Sequence, residues 1–244
     1  MKLFFSVSLL AVCSLGQAQS IAVPDSAILK KQHFLRSLIV PVTLITIGAV
    51  SCNGPRIINK KEFAEERNEV LPRFNTKLDD YLQYAPIVMV YGMDALGYKG
   101  KHDAWNQTAI FIKSELLMEA IVKPLKDWTH VLRPDSSSYT SFPSGHTAQS
   151  FVAAEFLRKE YGSEHPWLAV GGYVTASAVG ALRMLNNKHW LPDIFAGAGI
   201  GILSVNIVYL THKNKWPLWK RKIQAVPTYN GYGPGIYLNY HLGK

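Results

Sequence analysis

Cysteine is nearly missing from this chain of 244 residues, with Cys13 and Cys52 the two that occur. That excludes a disulfide-knit scaffold and a zinc site built on cysteines. Acidic residues are scarce as well: 17 Asp and Glu stand against 26 Lys and Arg, a formal charge of +9. The imbalance suggests an anionic partner, whether nucleic acid, a phosphorylated substrate or an anionic membrane surface. No stretch interleaves aromatic residues with a basic stripe, which argues against nucleic acid. Long internal repeats and low-complexity tracts are also lacking. What is present is a 48% apolar chain with 18% charged residues, enough to bury a sizeable core. Mean hydropathy is +0.03, a value that leaves a soluble and a membrane-embedded helical domain both open.

Residues 1–18 have a short basic start at Lys2, an apolar run from Leu3 to Leu15 and a small-x-small site at Gly16-Gln17-Ala18. This is the pattern of a secretory signal peptide, with a retained anchor as the alternative. Its loss would leave Cys52 alone and a charge near +8. Residues 19–80 are expected to hold an apolar helix, Leu35 to Cys52, long enough to span a bilayer, and a polar, charge-dense connection of short amphipathic helices. Residues 81–212 read as a helical core. Its segments are 81–97, 104–125, 145–161, 167–185 and 192–211. The second carries Lys113, Glu115, Glu119 and Lys123, which suit a packed or partly wet helix better than a lipid-facing one. Gly197, Gly199 and Gly201 sit in an apolar helix with no preceding strand, so close helix packing is favoured over a dinucleotide loop. Residues 213–244 are a basic segment followed by an expected β-hairpin. There Asn230-Gly231 is the turn signal, and Ile236, Leu238, Tyr240 and Leu242 alternate with polar residues. The fold class is therefore all-α, a bundle of about six helices, partly membrane-associated, with a short C-terminal hairpin.

Three segments carry chemistry: Lys126-x6-Arg133-Pro134, Phe142-Pro143-Ser144-Gly145-His146, and Arg183-x5-His189-x3-Asp193. Each falls in a loop or at a helix end. Ser144 and Gly145 open a helix, where backbone N–H groups and the positive dipole end favour an anion. Arg133 and Arg183 offer forked donors to phosphate oxygens, and Lys126 adds a point charge. The four-residue step from His189 to Asp193 lets a carboxylate hold one ring nitrogen while the other faces phosphorus as a nucleophile. His146 is placed to act as general acid. Two histidines and an aspartate are also metal-ligand types, but the neighbouring cations oppose a metal. His130, inside the first segment, is a further candidate to line the site by position alone.

In order and spacing, these segments resemble the three signature motifs of the type 2 phosphatidic acid phosphatase / vanadium haloperoxidase superfamily, over roughly residues 85–211. The resemblance implies a helical bundle and a covalent phosphohistidine intermediate without a metal or other cofactor. By position it implies Lys126, Arg133, Ser144, Gly145 and Arg183 as the phosphate-binding set, His146 as the acid, His189 as the nucleophile and Asp193 as its partner. Leu182 departs from the pattern, which usually has Ser before the arginine.

The expected function is hydrolysis of a membrane lipid phosphate: undecaprenyl diphosphate, phosphatidate, phosphatidylglycerol phosphate or a lipid A phosphate. A secreted broad-specificity acid phosphatase, a vanadate-dependent haloperoxidase and a non-catalytic envelope interaction protein are the alternatives. Lys213 to Lys222 follow the last helix and favour the cytoplasmic side, which directs the site to the periplasmic side. Lys30, Lys31 and Arg36 agree if 35–52 spans from inside to outside. A cleaved signal with 35–52 and every later helix spanning would turn the site inward. Oligomeric state is not legible.

Overall fold

The computed structural model describes residues 26–52, 60–213, 224–229 and 234–239. The expected signal peptide lies outside the described residues, as do the hairpin turn and most of the basic segment. Among the described residues the helices are α1 (Ser26–Cys52), α2 (Lys60–Val70), α3 (Leu78–Leu82), α4 (Ala85–Ala95), α5 (Ala104–Thr129), α6 (Gly145–Tyr161), α7 (Pro166–Leu185) and α8 (Leu191–Thr211). Two antiparallel strands follow, β1 (Gln224–Tyr229) and β2 (Pro234–Asn239), paired from Gln224↔Asn239 to Tyr229↔Pro234. The bundle is built from α1 and α4–α8, in agreement with the expected six helices and hairpin.

Helix starts follow local chemistry. Asp103 caps α5 by accepting from the Asn106 amide, and Ser144 caps α6 by accepting from that of Thr147. Pro166 and Pro192 occupy first-turn positions of α7 and α8, where a missing N–H costs nothing. α5 runs four residues past its expected end, to a left-handed cap at His130 (φ 45°). Lys126 therefore stands in the last helical turn, not in the loop, next to carbonyls whose dipole favours a cation.

Small residues decide how the helices cross. A Cβ on Gly197 would lie 2.5 Å from the Ser144 carbonyl oxygen, and one on Gly201 would lie 2.3 Å from that of Ala148. These contacts set α6 and α8 side by side, running the same way. On the other flank of α8, a Cβ on Gly199 would meet the Pro41 carbonyl oxygen at 2.6 Å, and Gly48 is pressed on Pro192. Asn206 donates to the Ser37 carbonyl at 3.1 Å. Hence α1 lies antiparallel along α8. The core between these layers is Val90, Ile110, Phe156, Leu157, Tyr161 and Val208 toward one end, and Met118, Val122, Ala148, Val152, Ile200 and Val205 nearer the middle.

Three helical segments are long and apolar enough to cross a bilayer: Phe34–Cys52, Pro166–Leu185 and Leu191–Thr211. Only 17% of the first is buried, and Leu35, Ile39, Val40, Val170 and Val174 are exposed apolar side chains along α1 and α7. An outward apolar face of this kind suits a lipid surrounding.

Gly201→Ala is expected to destabilise the bundle by about 1–3 kcal/mol, because the methyl group meets backbone that cannot yield. Gly171→Ala, where a Cβ would meet nothing within 4 Å, serves as the neutral comparison. Thermal unfolding in detergent compares the two.

Candidate active site

The ends of three helices and two loops converge at one end of the bundle. Lys126 comes from the last turn of α5, Arg133 from the loop after it, and Ser144, Gly145 and His146 from the start of α6. Arg183 comes from the last turn of α7, His189 from the connection that follows, and Asp193 from the first turn of α8. All eight residues expected from sequence thus lie together. The link between the two halves is direct: the Ser144 amide donates to the Asp193 carbonyl at 3.0 Å.

His189 is buried, with 2% exposure, and its Nδ1 stands 3.4 Å from Asp193 Oδ2. Nδ1 makes no well-aligned hydrogen bond, a looseness common in catalytic pairs without substrate. The carboxylate itself is firmly placed. Asp193 Oδ2 accepts from Ser141 Oγ at 2.5 Å and from the Trp190 amide at 2.9 Å, so it caps its own helix while facing the imidazole. Burial pushes the His189 imidazole down to about 4, against the opposing pull of Asp193. The ring is therefore neutral across the ordinary pH range, with Nε2 available as a lone-pair donor once Nδ1 carries the proton.

The cations crowd each other. Lys126 donates to the Thr140 carbonyl at 2.8 Å, and its stem passes the start of α6, with Cε 3.9 Å from where a Cβ on Gly145 would lie. Burial first, then the Arg133 and Arg183 guanidiniums, push the Lys126 ammonium down to about 8. Arg133 is likewise shifted down by burial and by Arg183. The Nε groups of Arg133 and Arg183 are buried donors without an acceptor among the described residues, a costly state unless an anion is the acceptor. Ser144 is fully buried; its hydroxyl bonds Thr147 and its amide is committed to Asp193. The next amides, of Gly145 and His146, are first-turn donors that a helix cannot pair within itself.

Sequence reasoning missed the acidic side of the site. Asp79 and Asp80, on the five-residue α3, fall in the segment expected only to be a polar connection of short amphipathic helices. Asp79 is buried and accepts from Arg183 Nη1 at 2.8 Å and from Asn186 Nδ2 at 2.9 Å. Asp80 Oδ1 lies 3.0 Å from His146 Nε2 and 3.8 Å from Arg183 Nη1. Burial and Arg183 push the His146 imidazole below its ordinary value, with Asp80 and Asp79 acting the other way. A doubled aspartate in an acid-poor chain was the available signal. Ser141 was missed too, hidden in a loop full of hydroxyls. His130, by contrast, is an exposed helix cap that does not line the site. Leu182, which departs from the motif, is half-buried and offers its carbonyl to the Asn186 amide; Arg183 takes its side-chain support from α3 instead. Among the described residues no three His, Cys, Asp or Glu side chains group as metal ligands.

Compared with known families, residues 107–217 match the PAP2 superfamily. That match runs from Gln107 in α5 through α8, the helices that carry the candidate site. A lipid A 1-phosphatase of Porphyromonas gingivalis is 39% identical over 137 residues, 56% of this chain and 31% of that protein. The chain thus spans about a third of that relative's length. Among solved structures, LpxE of Aquifex aeolicus aligns at 22% identity over 60% of this chain and 93% of that one, with a TM-score of 0.45. A transmembrane PAP2 type phosphatidylglycerolphosphate phosphatase from Bacillus subtilis aligns at 23% identity over 70% and 94%, with a TM-score of 0.49.

Three cations and two buried guanidinium donors without an acceptor among the described residues predict anion binding. Orthovanadate should raise the melting temperature of the protein. Arg133→Ala should weaken vanadate by roughly 10–100-fold, the loss expected of one charged hydrogen-bonding group. Unchanged affinity by thermal shift would place the anion elsewhere.

Proposed function

We propose that the protein is a phosphatase acting on a phosphorylated membrane lipid, with a lipid A phosphate the foremost candidate. The observation that carries the reading is the buried His189 backed by Asp193 and facing a cluster of Lys126, Arg133 and Arg183. A neutral imidazole is a nucleophile, and the cations balance a phosphoryl group's charge in the ground state and more so in transfer. The lipid A 1-phosphatase relative and the apolar outer faces of α1 and α7 support a lipid substrate over a soluble ester.

In the proposed reaction His189 Nε2 attacks phosphorus and the bond from phosphorus to the ester oxygen breaks. The proton of His146 passes to the departing oxygen. Lys126, Arg133 and Arg183 hold the non-bridging oxygens, together with the Gly145 amide at the start of α6. Ser144, assigned to phosphate binding by the motif, acts here by capping that helix. Water then attacks the phosphohistidine, His146 takes its proton back, and inorganic phosphate leaves. Each step is balanced without a metal.

Orientation follows from where the charges stand. Arg36 near the start of α1 and Lys213 after α8 are both exposed, and the antiparallel contact of these helices puts both at the end opposite the site. Basic residues gather on the cytoplasmic side, so the proposed site opens to the periplasm.

The protein should release inorganic phosphate from lipid A or phosphatidate in mixed micelles, with activity retained in EDTA and lost to orthovanadate. His189→Ala should lower turnover by on the order of 10⁴-fold; full activity in that variant would sink the mechanism. Comparable kcat/KM on short soluble esters would favour a broad-specificity acid phosphatase. The pH profile has a defined sign. His189 must be neutral, so kcat/KM rises with pH through about 4. His146 must be protonated, so kcat/KM falls as pH rises through a value below the ordinary histidine range. The maximum therefore lies on the acid side of neutrality.

A further inference from the structure

We propose that the Asp79–Asp80 pair of α3 is a positioning device for the reaction, with Asp80 forming a second carboxylate–histidine dyad on His146 and Asp79 fixing Arg183. The inference rests on the phosphatase reading above. The His189–Asp193 dyad serves the attacking side of the phosphorus, and the Asp80–His146 contact serves the leaving side.

The geometry distinguishes the two aspartates. Asp80 Oδ1 meets His146 Nε2 at 3.0 Å, and the Asp80 side chain is half exposed. It therefore holds the ring and favours its protonated form without being locked in a network. Asp79 is held from two sides, by Arg183 Nη1 at 2.8 Å and by Asn186 Nδ2 at 2.9 Å, and Asn186 is itself tied to Thr76 through both its amide groups. Asp79 engages one edge of the guanidinium and leaves the buried Nε without a partner. Arg183 is thus held in place with a donor still available for a phosphate oxygen. Leu182 has no hydroxyl with which to help, and α3 takes up that support.

The groups facing His146 are Arg183 from α7 and Asp79 and Asp80 from α3. Arg183 disfavours imidazolium and the two carboxylates favour it. Removing the Asp80 charge leaves Arg183 less opposed, and the acid form of His146 is then lost at lower pH.

The test pairs two esters and two variants. An alkyl phosphate such as decyl phosphate needs a proton on its poor leaving group, whereas p-nitrophenyl phosphate does not. Asp80→Asn should lose at least tenfold more kcat/KM on the alkyl ester than on the nitrophenyl ester. Its alkaline limb should move down by about one pH unit, the tenfold effect of one charge partner. Asp80→Glu should recover part of both. Asp79→Asn should raise KM and weaken orthovanadate with little change in this leaving-group ratio. Equal losses on both esters with an unmoved limb would overturn the dyad, and so would no loss at all. Histidine NMR separates this proposal from the phosphatase reading. If the wild type hydrolyses no phosphate ester yet the His146 titration shifts down in Asp80→Asn, the reading fails and the contact stands. An unshifted titration overturns the contact whatever the activity.

Discussion

Three positive charges confined to one end of a helical bundle repel each other, and much of the surrounding structure answers that repulsion. A pair of unit charges ~6 Å apart at an effective dielectric constant of ~20 costs about 3 kcal/mol. Burial first, and then Arg133 and Arg183 acting in this way, drive the lysine toward neutrality. Carboxylates offset part of the cost: Asp79 on Arg183, Asp193 near Lys126 and Arg133, and Asp135 beside Arg133. Asp135 also pairs with Lys188 at 2.7 Å and so ties the loop after α5 to the turn before α8. The compensation is partial. Two buried guanidinium Nε groups keep no acceptor among the described residues, the state that the proposed phosphate would relieve.

Holding that cluster requires helices that do not drift. The glycines of α8 let it lie against the backbone of α6 on one side and of α1 on the other. Close backbone contact fixes the relation of Ser144 to Asp193, and with it the relation of the α6 start to His189. The far end of the bundle is tied by a separate polar network. Glu160, buried, accepts from the amide and Nδ1 of His102 and from the Tyr209 hydroxyl, while Tyr161 donates to Asp94 at 2.5 Å. The two ends thus hold distinct buried networks: clustered cations with aspartates at the site, and Glu160 and Asp94 with tyrosine hydroxyls and His102 opposite.

Most of the bundle was legible because its signals are local. The start of α6 at Pro143-Ser144-Gly145, the α8 start at Pro192 and the apolar run of α1 are written in adjacent residues. The clustered cations Lys126, Arg133 and Arg183 and the His189–Asp193 pair were legible because motif spacing preserves them. The α5 end was misread by four residues. Its stop is a left-handed turn at His130, a residue type with no strong claim to that conformation, unlike glycine. Asp79 and Asp80 escaped for another reason. They lie more than 60 positions from His146 and more than 100 from Arg183, and no periodicity links a short helix to partners so remote.

By itself the sequence determined the class of the fold and the identity of the cations and histidines that gather at the candidate site. Each of these depends on residue type and short spacing. Only the tertiary structure decided that α1 runs antiparallel to α8 and that the two basic ends therefore coincide. It alone gave Ser141 to Asp193 and Asp80 to His146. Those relations depend on how whole helices pack, and packing is set by backbone approach at Gly48, Gly197, Gly199 and Gly201, whose effect appears only when the facing helix is present.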